Sequence, residues 1–203
     1  MNKKSLLMMM LTICLIAVVG VGATLAYLTD STEVVTNKFT LGKTDIEIDE
    51  PGWEEPDDIV PGQSFDKDPT VTVIKNSVDS YVFMSIQGVD AMMEAGFMLG
   101  EFDENGNVIN AINPLWVKAD GNNSIDGIYV YSDENGVPAV VAKTDADREL
   151  PALFTKVTYK ADNTETEGGE FNLLVKAAAV QATGEEGYEY ADAFDAVKDS
   201  LAF

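Results

Sequence analysis

Histidine is absent from this 203-residue chain. Its absence removes His-based nucleophile triads, imidazole general bases and His-ligated zinc. Cysteine occurs once, as Cys14, inside an apolar run near the N-terminus. Beyond that run there is no thiol, hence no cysteine nucleophile, no disulfide framework and no Cys-ligated metal. Stability then rests on the packed core alone. Basic residues are scarce as well: 13 Lys+Arg stand against 35 Asp+Glu, a formal net charge of −22. A field of that sign repels phosphate backbones and anionic headgroups, which argues against nucleic acid and membrane surfaces as partners. It keeps an exported protein soluble, and it offers carboxylates to divalent cations or basic partners. Asp199-Ser200-Leu201-Ala202-Phe203 reads as neither an apolar tail nor a wall-sorting motif.

What is present begins with an address. Lys3 and Lys4 form a positive n-region, and Leu6 to Val19 is apolar except for Thr12 and Cys14. Small residues then lead to Thr24-Leu25-Ala26, the layout of a secretory signal cut between Ala26 and Tyr27. The competing reading is a retained anchor, since Leu6 to Leu28 is long enough to span a bilayer. Asp30 and Glu33 follow closely and no basic stop-transfer cluster does, which favours cleavage. Either way the rest of the chain is expected outside the cell, with membrane contact only during export. Cleavage leaves 11 basic residues against 35 acidic ones, a net −24. The expected division is a signal peptide over 1–26, an N-terminal arm or first strand over 27–41, and a β-sandwich domain over 42–203.

Hydrophobic residues make up 46% of the chain and aromatics 9%, too rich for disorder. Alternation places strands at Thr70 to Ile74, Tyr81 to Ile86, Leu115 to Val117, Ile128 to Tyr131 and Ala139 to Ala142. Further strands are expected at Leu153 to Tyr159 and Phe171 to Gln181, the latter with Phe171, Leu173, Val175, Ala177 and Ala179 on one face. A phase slip at Gly42-Lys43 separates Phe39 and Leu41 from Ile46 and Ile48. Asp90 to Ala95 reads as one or two helical turns. Tyr188, Ala191, Phe194, Val197 and Leu201 recur at helical spacing, which predicts an amphipathic helix over 188–202. Two turns, Asp103-Glu104-Asn105-Gly106 and Asp133-Glu134-Asn135-Gly136, carry the Asn-Gly hairpin signal, with positive φ expected at both central residues. Eight acids and no base lie between Asp45 and Asp58, a loop for which calcium is an alternative to simple solvation. The fold class is mainly β: an antiparallel, jelly-roll-like β-sandwich with a short helical insertion and a C-terminal amphipathic helix.

Gly22 to Asp30, then Asn37-Lys38-Phe39-Thr40-Leu41-Gly42 and Asp45-Ile46-Glu47-Ile48, resemble the TasA/camelysin family of Gram-positive exported proteins processed by a SipW-type signal peptidase. Val60-Pro61-Gly62 with Thr70 to Ile86, and Val175 to Ala182 with Ala191 to Phe194, are similar too. The resemblance implies a jelly roll and, for fibre-forming members, subunits of biofilm-matrix filaments that partner other copies or related matrix proteins. It also implies a donor strand within Tyr27 to Leu41, carried by Tyr27, Leu28, Val34, Val35, Phe39 and Leu41. Camelysin-type members are described as metallopeptidases, but without histidine only carboxylate ligation is left, which suits calcium better than zinc. Ser85 or Ser132 with a lysine is the remaining nucleophile arrangement, and no spacing singles one out. The expectation is a non-enzymatic matrix or surface protein without a cofactor. The alternative is a secreted binding module for a carbohydrate, a cation or a surface protein, to which Trp53 and Trp116 would contribute.

Overall fold

The computed structural model describes residues 3–4, 8, 10, 43–56, 59–105, 107–109, 111–161, 170–182 and 189–203. The chain divides into two units, Met1–Thr40 and Leu41–Phe203. In the first, Lys3, Lys4, Met8 and Met10 are helical.

The second unit is organised around one strand. Ser80–Gln87 alternates Val82, Met84 and Ile86 with Tyr81, Phe83 and Ser85, so apolar groups point both ways and both faces must be covered. This strand, β4 in chain order, lies within a four-stranded sheet. The strands before it are β1 (Ile46–Asp49), β2 (Ser64–Asp66) and β3 (Thr70–Val73). After it come helix α1 (Val89–Glu94), β5 (Phe97–Leu99), β6 (Glu101–Phe102), β7 (Val108–Ile109), β8 (Trp116–Lys118) and β9 (Gly127–Tyr131). The chain continues through β10 (Arg148–Glu149), β11 (Lys156–Tyr159), β12 (Leu174–Gln181) and helix α2 (Tyr190–Leu201). The central sheet runs β12-β4-β9-β8, and two three-stranded sheets run β1-β3-β10 and β2-β11-β5. Every pairing is antiparallel. Among the described residues only β6–β7 and β8–β9 join consecutive strands, so the sandwich is built by crossovers of the Greek-key kind.

Val82, Met84 and Ile86 meet Val71, Val73, Phe97, Leu99, Val157 and Tyr159 in the main core between the sheets. On the outer face of the four-stranded sheet, Phe83, Ile128 and Val130 pack under α2 through Ala193 and Leu201. Phe83 and Phe194 stand 6.1 Å apart. Helix α2 starts with a capping box in which Glu189 and Asp192 exchange hydrogen bonds with each other's backbone. Its buried stripe uses Tyr190 and Ala193 with Phe194, Val197 and Leu201, whereas Ala191, expected in the stripe, is exposed. Tyr188 lies outside the described residues.

Three other expectations are corrected. Ala139 to Ala142 makes one isolated bridge, Val141 to Ser80, instead of a strand, with a second bridge just before it from Pro138 to Ser132, and Val141 is buried. Leu153 to Thr155 precedes β11 as irregular chain; Leu153 and Phe154 are both fully buried, which simple alternation forbids. The acidic stretch from Asp45 is not all loop, because β1 occupies Ile46–Asp49. The short helix falls where expected, after Gly88, whose φ of 101° and whose approach to the Asn172 carbonyl leave no room for a side chain.

Candidate functional site

Residues Ala26, Tyr27, Leu28, Val34, Val35, Phe39 and Leu41, which carry the expected cleavage bond and donor strand, lie outside the described residues. The described residues instead contribute a long sheet edge. Strand β12 pairs residue for residue with β4, Leu174 opposite Gln87 through Gln181 opposite Ser80. Among the described residues no strand pairs with its other side. In an antiparallel ladder about half of an edge strand's backbone groups point outward, so a template eight residues long is presented. The remaining edge strands are shorter: β1 has four residues and two acids, β2, β5 and β8 have three each, and β6, β7 and β10 have two each. Lys176 is the single charge on β12.

The inward face beside this edge is only partly covered. Leu173, Val175, Ala177 and Ala179 pack on the main core but stay half-buried. Strand β1 runs close to β12 without pairing with it. Ile46 stands opposite Val73 and Ile48 opposite Val71, so both isoleucines share the core-facing side. Val71 is fully buried, yet Ile48 is 41% exposed. The start of β1 is clamped: Ile74 N–H donates to Asp45 O, Val78 N–H to Lys43 O, and the buried Ser77 hydroxyl bridges Asp45 N–H and O at 3.0 Å each. Among the described residues, the seam between β1 and β12 therefore combines an unpaired backbone ladder with incompletely covered apolar side chains. Its chemistry suits an extended segment with apolar residues at alternate positions.

A second cluster surrounds Lys118, whose ammonium donates to Asp126 O at 2.6 Å and Asn122 Oδ1 at 3.0 Å and lies 3.7 Å from Asp120. Burial pulls its pKa down, with Asp120 opposing. Tyr129, beneath this ammonium, has its phenol pushed up by burial and by the same acids. Asp126 carboxylate oxygens accept from Gly88 and Val89 N–H, and Asp90 accepts from Ser124 and Ile125. These acids are consumed in ordering the 119–127 loop against α1. Among the described residues no group of three or more His, Cys, Asp or Glu is placed to hold a metal ion.

The other candidates separate. Trp116 is buried at 2% exposure, its indole N–H donating to Pro151 O. Trp53 is 39% exposed with Lys67 Nζ 4.4 Å from its ring centre, and Lys67 pairs with Glu50 at 2.5 Å. Ser85 and Ser132 are both buried. Ser85 stands opposite Lys176 across β4 and β12, but that ammonium goes to Ala202 O. The Ser132 hydroxyl faces Pro114 O at 3.5 Å. In the turn after β9, Asp133 Oδ1 accepts from Asn135 and Val137 N–H, and Gly136 N–H donates to Asp133 O. Only Gly136 takes positive φ (75°); Asn135 does not, so this is a three-residue loop rather than the two-residue turn expected. Asp103 holds Asn105 and Asn107 N–H in the same way.

Among the described residues no helix is long and apolar enough to cross a membrane. No protein-family model matches the chain, and a comparison with curated proteins returns no match.

Proposed function

We propose that this chain is an exported structural protein of the cell surface or extracellular matrix whose copies join by strand addition. Residues 27–41 of one copy enter the seam beside β12 of the next. The observation that carries the reading is the eight-residue edge of β12, unpaired among the described residues, next to an inward-facing, 41%-exposed Ile48. Backbone hydrogen bonds to β12 supply affinity, and apolar side chains of the donor cover Ile48 and the alanine run. Phe39 and Leu41 are two residues apart and share a face of an extended chain. A second copy is the favoured recipient because Lys43 and Asp45 are already bonded to residues 74–78. Folding back into the same seam would consume Phe39 to Gly42 as the turn, and with them the donor's best anchors. The signal peptidase is a partner only during export, with the cut after Ala26. The function requires neither turnover nor a cofactor.

The test is negative-stain microscopy of residues 27–203 beside residues 43–203, which keeps the Lys43–Val78 bond, with and without calcium. Filaments from the longer protein alone are expected. Monomers from both would overturn the reading and favour a secreted binding module.

A further inference from the structure

Lys176 is the only charged side chain on the open strand. A lysine on a sheet edge is an ordinary guard against pairing, because an incoming strand must displace or desolvate its ammonium. Here the guard is held elsewhere. Lys176 Nζ donates to Ala202 O at 2.6 Å and sits 4.4 Å from the centre of the Phe203 ring. Both partners directly follow α2, which is anchored by the fully buried Leu201. Lys176 alternates with Val175 and Ala177 and so lies on the side of Ala178 and Val180, which pack towards the helix. The ammonium is thereby drawn over the helix-covered face and away from the unpaired ladder.

We propose that residues 202–203 are a latch controlling this edge: docked on Lys176, they keep β12 clear for an incoming strand, and released, they return the ammonium to the edge and slow addition. The inference rests on the strand-addition reading above and assigns its regulation. One carbonyl and one exposed ring form a weak hold, which suits a switch that opens without unfolding the sandwich. Any partner that captures the Phe203 ring, itself 46% exposed, would act on the edge through it.

The experiment uses residues 27–203 as wild type, Phe203→Ala, Lys176→Met and the double variant. Two rates are followed: acetylation of the Lys176 amine, read by peptide mass, and elongation of preformed wild-type filaments. Phe203 is beyond the helix and partly exposed, so its removal leaves the core intact. Phe203→Ala should raise Lys176 acetylation roughly 3-fold, the factor expected for losing a cation–π contact at an exposed site. It should slow elongation, and Lys176→Met should restore elongation in the Phe203→Ala background. Unchanged acetylation, or a slowing that Lys176→Met does not rescue, overturns the latch while leaving strand addition standing. Absence of filaments from the wild type overturns strand addition, and the latch with it.

Discussion

Replacing Ile48 by alanine in the isolated subunit tests whether the seam is open there. Full burial of an isoleucine contributes about 1.5–3 kcal/mol relative to exposure. Ile48 keeps 41% of its surface in water, so little more than half of that gain is realised. Solvent can also fill the space left behind, which removes the cavity penalty. The expected cost is about 1 kcal/mol. Its cross-strand partner gives the contrast. Val71→Ala deletes less carbon, but Val71 is fully buried, and the lost methyls plus the cavity cost about 2–3 kcal/mol. The ranking thus inverts what side-chain size alone gives. Urea unfolding of both variants, at a concentration where no filaments form, measures it through the midpoints at unchanged slope. A cost for Ile48→Ala equal to or above that of Val71→Ala would refute the reasoning, because the seam would then be filled within the single subunit.

Phe83→Ala should cost about 3–5 kcal/mol in urea unfolding, since the ring is fully buried between the central sheet and α2. A loss below about 1 kcal/mol would mean that the helix does not depend on it. Gly88→Ala should destabilise by about 1–3 kcal/mol, because φ is 101° and the new Cβ would meet Asn172 O at 2.1 Å; an unchanged thermal midpoint would refute this. Asp90 is held below the usual carboxylate range, chiefly by the hydrogen bond from Ser124. A depressed folded pKa gives stability that is present above about pH 4 and lost as pH falls through the folded value. Ser124→Ala should therefore lower the urea midpoint at about pH 6 and flatten the decline towards about pH 3. A pH slope identical to that of the wild type would remove Asp90 from the account.

Local pattern made the fold legible where side chains report one environment. Leu173, Val175, Ala177 and Ala179 share the core face as period-two alternation predicts, but Phe171, expected on that face, is 39% exposed because β12 starts only at Leu174; α1 contains the Met92–Met93 pair. Alternation failed where burial is not one-sided. Leu153 and Phe154 are adjacent and both buried because irregular chain before β11 turns both side chains inward, which no strand can do. The Asn-Gly signal located the turn at Asp133 but misjudged its length, because Asp133 caps two backbone N–H groups and fixes a longer loop. Helix α2 was placed correctly, yet its stripe rotated from Ala191 to Ala193, a shift that the small side chains of alanine cannot signal.

The seam was not legible in the same way, since the approach of β1 to β12 joins residues more than a hundred positions apart. Only its ingredients show in the sequence: an alanine-rich strand with one charge, and an isoleucine pair between acids. Their combination bears on specificity. A long, nearly neutral edge is an aggregation hazard in most proteins, and edges are commonly blunted by local charge. Here the charge is distributed over the whole molecule, a formal −22 that becomes −24 after the expected cut, instead of on β12. Copies then repel one another at distances up to the Debye length, about 8–10 Å at physiological salt, while an extended arm can cross that gap. On the strand-addition reading, this arrangement disfavours edge-to-edge collapse of two β12 strands and favours capture of a tethered segment. The open edge and the acidic composition are in that sense one device, the second making the first tolerable.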